Sequence, residues 1–347
     1  MAVKKLGAQS VVFQNPPVIA AASSVAGPKE GQGPLGPDFD LVLGDTLNGQ
    51  KSWEQAETQM LLESVKICLK KASLKPESVD FLLAGDLLNQ ITCANFVGRD
   101  TSIPFLGLYG ACSTYAEGMA LGAMLIDGGY AGKVAVCSSS HHNTAERQYR
   151  YPTEFGAQRC PTSQWTVTGA GAVLLSATGS GPRVTHATIG RVVDMGLKDV
   201  NDMGSAMAPA AADTIKRHFS DTGRRVSEYD AILTGDLGGV GKSICEEMLR
   251  REGVDLAGRY DDCGVLLFRK NQDVHAGGSG CACSALVFAA RLMRFLKEGK
   301  YRKVLLVATG ALHSPTTCQQ GETICCIAHA ISIECGGTAC VEKGAGG

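Results

Sequence analysis

Gly110-Ala-Cys112-Ser-Thr114 stands where an apolar run, Ile103-Pro-Phe-Leu-Gly-Leu-Tyr109, gives way to a stretch rich in Ala, Gly and Met from Thr114 to Asp127. The run reads as a buried strand and the stretch as a helix buried on most sides, so the pentapeptide is the turn between them. Cys112 would then sit among unpaired backbone N–H groups at the positive end of a helix dipole. Such a place favours a thiolate, and it equally accepts a carboxylate with no covalent step.

The surroundings of this turn occur twice. Val79-Asp-Phe-Leu-Leu-Ala-Gly-Asp86 is echoed by Tyr229-Asp-Ala-Ile-Leu-Thr-Gly-Asp236, and Gly110 to Thr114 by Gly277-Gly-Ser-Gly-Cys-Ala-Cys-Ser284. The following strands correspond as well, Lys133 to Ser139 with Lys303 to Thr309, and each half closes on a glycine-led strand, Gly169 to Ser176 and Gly321 to Glu334. The helix after the second turn is expected over 285–297, and a helix from Trp53 to Ala72 precedes the first Gly-Asp strand. The second copy holds an insertion of roughly 20 residues near 253–275. Two diverged α/β halves, 1–179 and 180–347, are expected, with 27–50 as a long turn-rich loop.

The 33 basic residues against 34 acidic ones, net charge -1, exclude the strong positive field of a general nucleic-acid binder. Fourteen cysteines sit singly among apolar residues, as at Cys68 and Cys137, and read as reduced core positions rather than a disulfide framework. The N-terminus reaches no long apolar segment before Asn15, so neither signal peptide nor anchor is expected, and the chain reads as cytoplasmic. Cys281-Ala-Cys283 is too closely spaced for a zinc ligand pair, and Gly277-Gly-Ser-Gly lacks the Lys-Ser/Thr ending of a phosphate loop. No metal site and no cofactor are expected.

The Gly110 to Thr114 turn before a small-residue helix, together with the duplication, resembles the thiolase and ketoacyl synthase III superfamily over nearly the whole chain. The resemblance implies a duplicated α/β fold layered α-β-α-β-α, and for condensing members an acylated cysteine assisted by a histidine and an asparagine from the second half. Aligned on the landmarks, the histidine position falls at Gly235 or Asp236 and the asparagine position at Gly278, so the charge-stabilising partners are absent. His141 and His142, with Asn143, are candidate replacements; adjacent residues on extended chain point opposite ways, so one of the two histidines is expected to face the site.

Four longer strings narrow the resemblance: Gly27-Pro-Lys-Glu30, Ala84-Gly-Asp-Leu-Leu-Asn-Gln90, Thr144-Ala-Glu-Arg-Gln-Tyr-Arg-Tyr-Pro-Thr-Glu154 and Asp202-Met-Gly-Ser-Ala-Met-Ala-Pro-Ala-Ala-Ala-Asp213. They are similar to the stage V sporulation AD family. That implies a soluble component of a sporulation membrane assembly, held peripherally on the forespore membrane by other proteins of that complex. It would bind dipicolinic acid, with calcium entering as the dipicolinate chelate. A planar ring bearing two carboxylates calls for N–H or cationic donors and flat apolar walls. The candidate ligand contacts are Cys112 with its helix start, Ser140, His141, His142, Lys29, Arg150 and Gly278. Asp86 would meet ligand-bound calcium or accept backbone N–H bonds. Arg147, Arg150 and Arg159 read equally as a solvated loop paired with Glu146 and Glu154. An acyltransferase using Cys112 is the alternative, and the superfamily resemblance allows a homodimer joined across exposed strands.

Overall fold

A computed structural model describes residues 2–149, 159–256 and 258–336. Ten of its strands fall into two five-stranded sets. The first comprises β1 (Val18–Ala26), β2 (Phe81–Gly85), β3 (Phe105–Gly107), β4 (Lys133–Ser140) and β5 (Gly169–Ser176). The second comprises β6 (Arg183–Thr188), β7 (Ala231–Thr234), β8 (Tyr260–Asp262), β9 (Lys303–Ala311) and β10 (Cys326–Glu334). Across the first set the order is β1-β5-β4-β2-β3, and across the second β6-β10-β9-β7-β8. In each set the first three strands pair antiparallel and the last two join in parallel. The repeated landmarks therefore occupy equivalent places, and the two sets meet where β1 and β6 pair at Val18 and Arg183.

The helices complete five layers. α1 (Trp53–Lys71) and α2 (Thr92–Thr101) cover the outer face of the first set. α3 (Thr114–Asp127) is followed by α4 (His142–Tyr149), and α5 (Met203–Thr222) and α6 (Gly238–Arg251) cover the outer face of the second set. α7 runs through Cys281–Val287, a π-helical turn at Phe288–Leu292, and Met293–Lys297. Between the sheets α3 and α7 share one core that includes Tyr115, Met119, Leu286 and Phe288.

A helix buried between two sheets must bring its backbone close to both, which explains the small residues of α3. A Cβ on Gly118 would lie 2.5 Å from Val136 Cγ1. On α1 the local signals agree with the tertiary role: Ser52 caps the helix by accepting from the Gln55 N–H at 3.3 Å, Lys70 and Lys71 occupy the last turn, and Ala56, Met60, Val65 and Leu69 are buried.

Several boundaries differ from the sequence reading. The helix of the second turn begins at Cys281 rather than 285, because Gly280, at φ 114°, ends the preceding chain directly beside it. The region near 253–275 includes β8, the counterpart of β3, so the added residues of the second copy lie after that strand, where a short helix, Cys263–Leu267, precedes the glycine-rich turn. Residues 27–50 hold two short helical turns and a two-residue strand, Leu41–Val42, paired with β1.

Candidate functional site around Cys112

The turn that carries Cys112 is held from several sides. Ala111 takes a left-handed φ of 50°, the Ser113 hydroxyl donates to the Gly110 carbonyl at 2.7 Å, and the Cys281 thiol donates to the Ala111 carbonyl at 2.9 Å. From the second half, β9 approaches so closely that a Cβ on Gly310 would lie 2.2 Å from the Gly110 carbonyl oxygen. The two repeats thus lock together at the cysteine.

Burial, reinforced by Asp236, pushes the Cys112 thiol well above its ordinary value, although the N–H groups of Gly280 and of Cys112 itself act in the opposite direction. The helix start was expected to favour a thiolate. That expectation is corrected, because loss of water around the sulfur outweighs the dipole.

Cys112 lines a pocket that opens to solvent. Its wall is mostly apolar or aromatic: Tyr109 and Tyr149 join through their hydroxyls at 3.2 Å, and Tyr149 stacks on His313 with ring centroids 5.2 Å apart. α5 contributes Met203 and Met207, one turn apart, and Ser279 and Thr166 supply hydroxyls. These residues were not singled out from the sequence as ligand contacts. Tyr109 abuts the Cys112 turn and Met203 and Met207 share a helix face, which were usable signals; His313, beyond the end of β9, had none.

Among the sequence candidates that lie in the described residues, Cys112 is on this wall and the others stand elsewhere. Ser140 is fully buried, donating to the Val167 carbonyl at 2.7 Å and accepting from the Ala282 N–H at 3.2 Å. His141 is buried too, its Nε2 2.8 Å from the Thr46 carbonyl, and burial lowers its basicity. His142 stacks on Trp165 with centroids 3.5 Å apart, so neither histidine lines the pocket; Glu146, one turn along α4, does. Lys29 Nζ sits 3.7 Å from the centre of the same Trp165 ring. Gly278 pairs with Trp165 in a short parallel bridge, which leaves its neighbour Ser279 on the pocket wall. Arg150 lies outside the described residues. Of the other arginines, Arg147 pairs with Glu54, and Arg159 donates to the Gln164 carbonyl.

Asp86 accepts backbone N–H bonds, one of its two expected roles. Its oxygens accept the N–H groups of Leu88 at 2.9 Å and Ala94 at 2.8 Å. Beside it Glu57 accepts the hydroxyls of Ser139 at 3.0 Å and Thr144 at 2.8 Å. Ligand atoms of Glu57, Asp86 and Cys93 lie within 4.8 Å of one another. Two buried carboxyls this close cannot both ionise at neutral pH: burial and Asp86 push Glu57 up to about 8. Asp86 keeps the charge because backbone N–H donors hold it, and Glu57 keeps the proton.

Five layers, duplicated sheets and a cysteine at the central turn define the fold class of thiolase-like condensing enzymes. The structure is similar to 3-oxoacyl-(acyl carrier protein) synthase III of Pseudomonas aeruginosa (TM-score 0.58, 13% identity, 93% of this chain and 99% of that one). It is also similar to OleA of Xanthomonas campestris (TM-score 0.61, 15% identity, 93% and 98%). At these identities the likeness concerns the fold alone. The family model for stage V sporulation protein AD matches residues 7–334. Stage V sporulation protein AD of Bacillus subtilis (strain 168) is 50% identical over 337 residues, covering 97% of this chain and 100% of the relative. The chain therefore belongs to the stage V sporulation protein AD family.

Proposed function

We propose that the Cys112 pocket binds dipicolinate, and that the protein is the dipicolinate-binding component of an assembly that moves dipicolinate into the developing spore. The observation that supports this most is the pocket's division of labour. Its floor is the Cys112 turn, where the N–H groups of Cys112 and Gly280 act on the sulfur and suit an acceptor such as a carboxylate, and its wall is made of flat rings and thioethers, which suits a planar heteroaromatic ring. Ser279 and Thr166, on the same wall, offer hydroxyls to the second carboxylate. Calcium enters as part of the cargo, the dipicolinate chelate. Attachment to the forespore membrane, in this reading, runs through partner proteins; among the described residues no helix is long and apolar enough to cross a membrane.

A second reading is acyl transfer on Cys112, favoured by His313 sharing a wall with the thiol. The raised thiol weighs against it, since only the thiolate attacks.

Titration calorimetry with dipicolinate, with and without calcium, separates the two. Binding is expected with wild type and with Cys112→Ser, and its loss with Cys112→Trp, which fills the helix start. Equal affinity in both variants would move the site elsewhere, and turnover of an acyl adduct on Cys112 supplied by acyl-CoA would establish the second reading.

A further inference from the structure

Near Cys112 lies a carboxyl group for which dipicolinate binding alone gives no reason. Asp236 follows β7 and is 0% exposed. Its oxygens lie near the N–H groups of Thr309 and Gly280 and the thiol of Cys283, yet neither has a partner in hydrogen-bond geometry. The hydroxyls of Ser284 and Thr309 also lack partners. They belong to the same packed corner: a Cβ on Gly235 would lie 3.3 Å from Ser284 Cβ and 3.0 Å from the Cα of Ala308. The corner adjoins the cysteine turn through two neighbours in sequence: Gly310, after Thr309, would bring a Cβ within 2.2 Å of the Gly110 carbonyl oxygen, and Cys281, after Gly280, donates to the Ala111 carbonyl at 2.9 Å. The Gly280 N–H acts on both the Cys112 sulfur and the Asp236 carboxyl.

Among the described residues, the titratable groups beside Asp236 include one carboxyl and four thiols. Asp262 approaches from β8, Cys263 from the short helix after it, Cys281 and Cys283 from α7, and Cys112 from the turn before α3. Asp262 is the better-served carboxyl of the two. It accepts the Thr234 hydroxyl at 2.8 Å and the N–H groups of Leu237, Gly238 and Gly264, each at 2.9 Å. A single negative charge in this corner therefore resides on Asp262, and Asp236 retains its proton. Burial and Asp262 both act in that direction on Asp236.

A carboxylate seated at the Cys112 helix start would share the Gly280 N–H with Asp236. A neutral acid there leaves the N–H dipoles free to hold the ligand, whereas an ionised one competes for them and repels it. We propose that Asp236 is the proton gate of the pocket: the carboxylate ligand is held while Asp236 is protonated and released as Asp236 ionises. This rests on the dipicolinate reading and adds its regulation.

The sign is fixed by which form binds. Affinity is full below the carboxyl's own titration point and falls by up to about tenfold per pH unit above it, with uptake of up to one proton per ligand. Asparagine reproduces the shape of the neutral acid and cannot ionise. The test is titration calorimetry of the full chain with sodium dipicolinate and a calcium chelator, from pH 6 to 9, in buffers of differing ionisation enthalpy. Wild type should lose affinity as pH rises, with proton uptake; Asp236→Asn should keep the wild type's low-pH affinity within about threefold throughout, without uptake. Should Asp236→Asn fail to fold, Asp236→Ser is read in the same way, and the wild-type proton uptake stands independently of either. Parallel loss of affinity in wild type and variant, or a pH-flat wild type, overturns the gate while leaving the binding reading intact. Absence of binding at every pH takes down both.

Discussion

A thiol two residues ahead of a helix is subject to opposed effects of unequal size. A helix dipole contributes about 0.3–1 kcal/mol to an adjacent charge, less than the roughly 1.4 kcal/mol of one pKa unit, whereas burial can move a group by up to about 3–5 units. Cys112 shows the larger effect winning. The same rule governs Glu57, whose raised carboxyl has a consequence for stability. The folded state holds a proton on Glu57 that the unfolded chain releases above its ordinary Glu value, so stability is full below about pH 4.5 and declines as pH rises to about 8. Replacing Glu57 with Gln removes that titration. Urea unfolding at pH 5.5, 7 and 8.5 should show wild type losing up to about 1.4 kcal/mol per pH unit more than Glu57→Gln. Identical pH profiles would mean that Glu57 is ionised in the fold.

Elements bring the chemistry together by close approach. β9 reaches the cysteine turn because residue 310 has no side chain, and the turn holds Ala111 in a left-handed conformation against it. Gly310→Ala should cost about 1–3 kcal/mol from overpacking against the Gly110 carbonyl. It should also weaken dipicolinate binding by displacing the N–H groups at the helix start. Urea unfolding combined with calorimetry checks both, and an unchanged affinity alongside reduced stability would show that the turn shifts as a rigid piece. The landmark strands and α3 were legible because their apolar runs are long and their ends carry repeated Gly-Asp and Gly-rich signals. α2 and α6 were not read from the sequence. α2 follows two residues in left-handed conformation, Gln90 and Ile91, and has no side-chain cap, so its start lacks a usual signal.

At the scale of the whole molecule, β3 closes one end of the sheet order, and among the described residues no strand pairs with its outer edge. Around it Leu106 is 45% exposed, Tyr109 44% and Phe96 43%. An apolar edge of this kind invites pairing with an identical edge, which is where the two-fold partner expected from the superfamily resemblance would join. Sedimentation equilibrium at micromolar concentration should find a dimer for wild type and a monomer for Leu106→Glu. A wild-type monomer would exclude that use of the edge.

What the sequence determined by itself was the repeat and the place of Cys112 at the central turn, because these follow from local periodicity and glycine placement; the layered class was implied by the resemblance to the thiolase superfamily. Only the tertiary structure decided what faces the thiol. Ser140, His141, His142 and Lys29 are near in landmark logic, but their side chains are taken up by Val167, Thr46 and Trp165. Tyr149, Met203 and His313 come from three separate elements to wall the pocket. Side-chain direction at a junction between halves depends on packing between residues far apart in the chain, and no local pattern encodes it.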